Sequence, residues 1–166
     1  MRTAMVILLL ALTGLPSCQV RYSFTGGQFS GAKTFSVELF RSQTALAGPV
    51  YAQRLTEGLK DQMLAQSPLT LAERSGDLQY QGTITDYRVA PAAIQANETA
   101  SLSRLSITIK VKYTNTLEPS LSFDKSFTKF ADFPAGEDLF SVEEDLWRSI
   151  NEQLILEIYN ASVANW

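Results

Sequence analysis

The chain has 166 residues, 45% of them hydrophobic and 19% charged, which is typical of one globular domain with a substantial core. Its formal net charge of -3 disfavours non-specific binding to nucleic acid, which requires clustered cations. Histidine is absent, so a Ser-His-Asp triad and histidine-containing zinc sites are excluded within this sequence.

The first predicted element is an apolar segment near the amino terminus. Residues 4–12 (AMVILLLAL) form an unbroken apolar run that follows Arg2 and ends before Cys18, the single cysteine of the chain. A permanent transmembrane helix needs roughly 20 apolar residues, so this run is too short to span a bilayer. Its position and the preceding positive charge predict the hydrophobic region of a secretory signal peptide.

The residues before the cysteine resemble the lipobox of bacterial lipoproteins. Leu15 stands three residues before Cys18 and Ser17 directly before it, whereas Pro16 departs from the usual small residue. The resemblance implies that residues 1–17 are a cleaved signal peptide and that the thiol receives a diacylglycerol. The alternative is an ordinary signal peptide in which the cysteine is incidental.

The segment after the cysteine is expected to tether the protein to a membrane. Residues 18–32 are rich in glycine and serine, as in a short linker. A triacylated cysteine would anchor the chain stably, since one acyl chain alone binds a membrane only marginally. In lipoprotein sorting an aspartate after the cysteine favours the inner membrane, and Gln19 therefore points to the outer membrane.

A strand and a helix are predicted next. Residues 33–40 alternate apolar and polar side chains, which predicts a half-buried strand. The inward side chains of this strand would be Phe35, Val37 and Leu39. From Pro49, a favourable first helical residue, the pattern predicts an amphipathic helix over residues 49–66. Its apolar stripe comprises Tyr51, Leu55, Leu59 and Met63. Gly58 within this helix favours close packing against a neighbouring element.

The middle of the chain predicts a series of strands. Residues 69–71 form a short candidate strand, and residues 78–89 form a longer one with a bulge or face switch expected near 85–87. The clearest alternation covers residues 104–115, and a further strand is expected over about 121–131. The predicted inward side chains of the 104–115 strand are Leu105, Ile107, Ile109, Val111 and Tyr113.

The last predicted element is a long helix. Ser141 and Glu144 match a capping box, which would begin a helix that runs to about Ser162. Its apolar stripe comprises Val142, Leu146, Ile150, Leu154 and Ile158, widened by Trp147 and Ile155. The order of elements predicts a single α+β domain over residues 33–166. Two helices would pack on one face of a largely antiparallel or mixed sheet of about four strands.

Acidic side chains offer little catalytic or metal-binding chemistry in this sequence. A cluster near the last helix could supply oxygen ligands to a cation, but carboxylates are favoured at a helix amino terminus in any case. This cluster comprises Glu137, Asp138, Glu143, Glu144 and Asp145. No spacing argument joins Asp86 and Asp132 into an acid–base pair. We therefore expect no catalytic residue, metal or cofactor.

Lysines on two predicted strands are the remaining candidates for a binding site. Lys110 and Lys112, together with Lys125 and Lys129 on a nearby strand, could form a basic stripe for phosphate-bearing lipids. The alternative is that these lysines form a solvated face that discourages pairing with other sheets.

Several stretches of the chain resemble the lipopolysaccharide-assembly lipoprotein family, LptE. They are YSFTG (22–26), GDLQYQGTITDY (76–87), NETASLSRLSITIKVKYTN (97–115) and the ending ANW (164–166). The resemblance covers essentially all of the chain after Cys18, and is closest to a divergent branch of the family.

This resemblance implies a non-enzymatic role with the large outer-membrane β-barrel LptD. Family members act as a plug and assembly partner in the barrel lumen, where lipopolysaccharide is handled, and such a lumen favours a hydrogen-bonding exterior. If the domain binds lipopolysaccharide, the candidate contacts among its cations are Lys110, Lys112 and Arg104. Two alternatives remain: an auxiliary or pilot lipoprotein of another export pore, and a hydrolase that would depend on Lys or carboxylates such as Asp86 and Asp132.

Overall fold

The computed structural model describes residue 29 and residues 31–92 and 101–163. The strands are β1 (Thr34–Val37), β2 (Arg41–Ser42), β3 (Thr70–Leu71), β4 (Leu78–Pro91), β5 (Leu102–Asn115) and β6 (Phe123–Pro134). The helices are α1 (Pro49–Gln66) and α2 (Leu139–Val163), and a short 3₁₀ turn covers Pro119–Leu121. The predicted signal peptide, Cys18, YSFTG and ANW lie outside the described residues.

The strands form one mixed sheet in the order β3-β1-β4-β5-β6, and β2 also pairs with β4. β1 and β2 run parallel to β4, whereas β4, β5 and β6 are joined as antiparallel neighbours. The predicted class is confirmed, and the sheet has six strands where about four were expected. The short candidate strand at residues 69–71 is present as β3, whereas β2 was not predicted, because its two residues are too few to show a periodic pattern.

The predicted bulge in β4 is confirmed. The register between β4 and β5 shifts between Ile84 and Asp86, which leaves Thr85 as the extra residue. Both Ile84 and Tyr87 are consequently buried, although their positions in the sequence have opposite parity. The bulge therefore lets one 14-residue strand keep its apolar side chains on a single face.

Both helices pack on that same face and enclose the core. The apolar stripes predicted for α1 and for the 104–115 strand are buried as expected, and so is that of α2 except for the partly buried Val142. The predicted start of α2 was wrong, because the helix begins at Leu139, which packs against the core. Ser141 is already helical and its hydroxyl donates a hydrogen bond to the carbonyl of Asp138.

The first strand is shorter than the alternation predicted. β1 ends at Val37, and Leu39 is 64% exposed, so its predicted inward orientation was wrong. The chain leaves the sheet there, and Phe40 fills the core position instead, with its ring over Gly82. A Cβ atom on that glycine would lie 2.5 Å from the ring.

Gly58 lies where α1 packs tightly against α2. A Cβ atom at this position would lie 2.6 Å from Cδ1 of Ile155 on α2. The close packing expected at Gly58 is therefore present, and its partner is the second helix. Within the described residues neither helix has the length and hydropathy needed to cross a bilayer.

Buried tyrosines join the sheet to α2 and the two helices to each other by hydrogen bonds. Tyr80 on β4 donates its hydroxyl to Oγ of Ser162 on α2 at 2.9 Å, and Tyr51 on α1 donates to Oδ1 of Asn151 at 2.7 Å. Burial raises the pKa of both tyrosines well above the ordinary value.

An aspartate fixes the parallel pairing of β1 with β4. The carboxylate of Asp77 accepts hydrogen bonds from the backbone amides of Lys33 and Thr34 and from the Thr34 hydroxyl, at 2.9, 3.0 and 2.9 Å. The backbone bond from Lys33, followed by those from Thr34, lowers the pKa of Asp77. The start of β1 is thus attached to the turn that precedes β4.

Candidate functional site

The face of the sheet that carries no helix is polar. Because side chains alternate along a strand, β4, β5 and β6 direct every second residue to this side. The polar face comprises Gln79, Gln81, Thr83, Ser106, Thr108, Lys110, Lys112, Thr114, Asp124, Ser126 and Thr128. Phe130, which is opposite Ser106 and 47% exposed, is a large apolar side chain on the same side of the sheet. The rest of this face is a broad surface that can bind polar groups.

A depression of about 360 Å³ lies on the polar face and is bordered by the chain between β1 and β2. Its floor is the row in which Gln81, Lys112 and Asp124 are opposite one another, with the neighbouring row of Thr83 and Lys110. Its lining residues are Glu38, Leu39, Arg41, Gln81, Gly82, Thr83, Lys110, Lys112 and Asp124. Five of these side chains are charged, so electrostatics decide what the depression can bind.

Two of its cations have no counterion. Lys110 Nζ lies 3.1 Å from Oδ2 of Asp124, and Glu38 accepts a hydrogen bond of 2.7 Å from Gln81. The side chains of Lys112 and Arg41 make no ion pair or hydrogen bond with any described residue. The depression therefore presents one guanidinium and one ammonium group that are free to bind an anion.

Arg41 was missed by the sequence analysis. It lies in the two-residue strand β2, which pairs Arg41 with Thr83 of β4. No alternation or motif surrounds it, so the sequence carries no signal that it would lie beside Lys112. Its place depends on the parallel contact between β2 and β4.

The third predicted contact, Arg104, lies elsewhere on the same sheet. It is six residues from Lys110 on β5, roughly 20 Å along a strand. Its guanidinium binds the carboxylate of Asp132 through two hydrogen bonds of 2.6 and 2.8 Å and stacks 3.7 Å from the centre of the Phe130 ring. These hydrogen bonds lower the pKa of Asp132. Arg104 is thus already occupied, and the structure brings only Lys110 and Lys112 together.

The predicted four-lysine stripe was wrong. Lys125 and Lys129 are opposite Val111 and Ile107, both of which face the helices, so they lie on the other side of the sheet from Lys110. Lys129 forms an ion pair of 2.9 Å with Glu157 on α2.

Protection of a sheet edge against pairing with another sheet could explain the lysines of β6 but not those of β5. β6 is an edge strand, where lysines discourage pairing with another sheet. β5 is paired on both sides, so protection of an edge does not explain Lys110 and Lys112. A binding role therefore remains for these two lysines.

The acidic candidates are dispersed among separate partners. Asp86 on β4 lies 3.5 Å from Arg88, whereas Asp132 is on β6, two strands away, and is paired with Arg104 of β5. In the acidic segment Glu144 pairs with Arg54, Asp145 with Arg148, and Glu143 accepts a hydrogen bond from Tyr87. In the described part of the chain no three metal-ligating side chains are grouped.

Known structures share this fold at low sequence identity. A minor lipoprotein from Acinetobacter baumannii is 16% identical with a TM-score of 0.51, over 79% of this chain and 93% of that one. A hypothetical protein from Chlamydia trachomatis is 7% identical with a TM-score of 0.54, over 81% of this chain and 99% of that one. No curated protein sequence is significantly similar to the chain.

The family is established by a match to the sequence itself. The model of the LptE family, described as lipopolysaccharide assembly, matches residues 32–162. This range includes every strand and both helices, together with the polar face. The resemblance found in the sequence is confirmed, and the chain belongs to the LptE family of lipopolysaccharide-assembly proteins.

Proposed function

We propose that this chain is an outer-membrane lipoprotein that plugs and helps to assemble an LptD-like β-barrel, and that its polar face contacts lipopolysaccharide. The observation that carries the proposal is the pair of unpaired cations, Arg41 and Lys112, on the polar face of an LptE-family chain. Family membership supports a lipoprotein without catalytic activity in lipopolysaccharide assembly.

The polar face suits contact with a barrel lumen. The interior of a transmembrane barrel is polar, so a plug must offer hydrogen-bonding groups over a wide area. Serine, threonine, glutamine and lysine supply these groups along three long strands, and their backbones are already paired within the sheet. The side chains can therefore form contacts to a lumen without disrupting the fold.

The depression suits the anionic part of lipopolysaccharide. A guanidinium binds phosphate oxygens through two parallel hydrogen bonds, and an ammonium group adds a compact charge. Arg41, Lys110 and Lys112 outnumber Glu38 and Asp124 in the lining of the depression. Asp124 pairs with Lys110, whereas Glu38 keeps its charge while it accepts a hydrogen bond from Gln81, so the lining as a whole is cationic by one charge. Lys110 is available to such a ligand only by exchanging its bond to Asp124. The phosphate groups of lipid A are the proposed ligands.

Acylation at Cys18 would hold this domain at the outer membrane, facing the periplasm or within the lumen. The linker to the start of β1 is short, so the domain would stay close to the bilayer surface.

A binding measurement tests the polar face. The full chain in detergent is titrated with purified lipopolysaccharide and with dephosphorylated lipopolysaccharide. The double variant Arg41→Gln, Lys112→Gln should weaken binding of the phosphorylated ligand by roughly fivefold to thirtyfold, since each exposed charge pair contributes up to about 1 kcal/mol. Lys125→Gln is the matched control, because it removes one exposed cation from the opposite side of the sheet. Equal losses in both variants would refute the assigned site.

Co-purification tests the partner. A tagged chain extracted from outer membranes should recover an LptD-type barrel, and crosslinking from Lys110 and Lys112 should reach that barrel or lipopolysaccharide. Recovery of a different export pore without such a barrel would support the auxiliary or pilot lipoprotein instead.

A further inference from the structure

The outer seam between α1 and α2 contains an apolar trough that the proposed lipopolysaccharide contact does not use. The helix trough has a volume of about 420 Å³ and is lined by Gly58, Asp61, Gln62, Ala65, Glu152, Ile155 and Leu156. Of its two large apolar side chains, Ile155 is buried at the floor and Leu156 is 51% exposed. The trough lies on the helix layer, away from the polar face of the sheet.

Gly58 keeps the centre of this seam open. Because it has no side chain, the two helices approach closely and the surface above them stays recessed. Two further depressions adjoin the trough through Gly58, one along α1 towards Gln53 and one along α2 towards Trp147. The recess along α1 thus extends from Gln53 to Ala65, roughly 18 Å at the rise of an α-helix.

The carboxylates at the trough differ from the other acidic side chains of the helices. Five of the seven have partners: Glu57 with Lys60, Glu143 with Tyr87, Glu144 with Arg54, Asp145 with Arg148 and Glu157 with Lys129. The carboxylates of Asp61 on α1 and Glu152 on α2 make no hydrogen bond or ion pair with any described residue. Both line the trough, one on each helix. The apolar floor is therefore bordered by two negative charges that lack counterions.

We propose that the helix trough is the docking site for a basic amphipathic helix of a partner protein. A helix that lies in a groove contributes apolar anchors at successive turns, here against Ile155 and Leu156. Lysine or arginine side chains on its two flanks would pair with Asp61 and Glu152, which gives charge complementarity on both sides of the floor. This inference does not depend on the lipopolysaccharide contact, because the two surfaces share no residue.

A designed helical peptide tests the proposal directly. The probe is a stapled helix of about twelve residues, which matches the recess of roughly 18 Å, with two leucine anchors and lysines on both flanks. Its fluorescence anisotropy is measured against the full chain in phosphatidylcholine nanodiscs, with empty nanodiscs as the blank. A second peptide replaces every lysine with glutamate. The lysine peptide should bind and the glutamate peptide should not.

Variants of the chain locate the binding surface. The double variant Asp61→Lys, Glu152→Lys should weaken binding of the lysine peptide by roughly fivefold to thirtyfold, because two exposed ion pairs are lost. Leu156→Glu should also weaken it, whereas Leu64→Glu is the matched control, since Leu64 is 49% exposed on α1 and does not border the trough. Lipopolysaccharide binding should be unchanged in all of these variants.

Three results would overturn the proposal. One is failure of the lysine peptide to bind, and another is equal binding by the Leu156→Glu and Leu64→Glu variants. The third is a concentration-dependent dimer that is abolished by Leu156→Glu, because that would assign the trough to a second copy of this chain. If Arg41 and Lys112 prove not to bind lipopolysaccharide, that result would refute only the site proposed on the polar face.

Discussion

Replacing Gly58 by alanine should have opposite effects on stability in two closely related backgrounds. Alanine favours the helical state over glycine by up to about 1 kcal/mol, so the substitution alone should stabilise α1. The added Cβ atom, however, would lie 2.6 Å from Cδ1 of Ile155, whereas the next atom, Cγ1, is 4.0 Å away. The unfavourable contact is thus confined to a single methyl group.

The expected change in the free energy of unfolding is the difference between the cost of this contact and the gain in helix propensity. Overpacking in a core typically costs about 1–3 kcal/mol, and the low end of this range applies here because the clashing atom is the end of a flexible side chain. We therefore expect Gly58→Ala to reduce the free energy of unfolding by about 0–1 kcal/mol. Ile155→Val removes the clashing methyl group, and in that background the same substitution should raise the free energy of unfolding by up to about 1 kcal/mol.

Urea unfolding of the full chain and its three variants, monitored by circular dichroism in a non-ionic detergent, measures this cycle. The coupling between the two positions should be about 1–3 kcal/mol. Additive effects of Gly58→Ala and Ile155→Val, within about 0.5 kcal/mol, would refute the proposed contact.

Three further predictions concern other parts of the molecule. Tyr80→Phe should lower the free energy of unfolding by about 1 kcal/mol at neutral pH, because it removes a buried hydrogen bond to Ser162. The raised pKa of Tyr80 contributes stability that is present below pH 10 and lost as pH rises further. In urea titrations from pH 8 to 11, the free energy of unfolding of Tyr80→Phe should therefore fall less steeply with pH than that of the unsubstituted chain. Because the pKa of Asp77 is lowered from 3.8, its carboxylate contributes stability that is present above pH 3.8 and lost as pH falls. In Asp77→Asn the free energy of unfolding should therefore depend less on pH in the acid range. An unchanged pH dependence would argue against the bonds from Lys33 and Thr34. Cys18→Ala should leave the domain folded but abolish metabolic labelling with palmitate, and retained label would contradict the lipobox assignment.

The helices and long strands were predictable because the residues that mark their ends and the spacing of their apolar side chains both match their place in the fold. Pro49 begins α1 and Pro68 follows its end, so both boundaries of that helix are marked in the sequence. The alternation along β5 reflects a central strand with one face against the helices and the other exposed. Ser141 misled the prediction because burial of Leu139 extends α2 beyond the apparent cap.

The binding site was less predictable because it is formed by contacts between distant segments. The sequence indicated Lys110 and Lys112 but not Arg41, whose position depends on pairing between β2 and β4. It also grouped these lysines with Lys125, since parity within one strand does not reveal the register with the next. The register determines which cations share a face, and it is not visible in a single sequence.

The topology of the sheet has a consequence for the order of folding. β4, β5 and β6 are consecutive in sequence and pair as an antiparallel meander, so their contacts close short loops. β1 pairs in parallel with β4 only after α1 has crossed the sheet, and Asp77 closes a loop of 43 residues to Thr34. Such non-local pairing forms slowly. We therefore expect β1 to join last, so the segment nearest Cys18 would be synthesised first but would enter the native sheet at the end of folding.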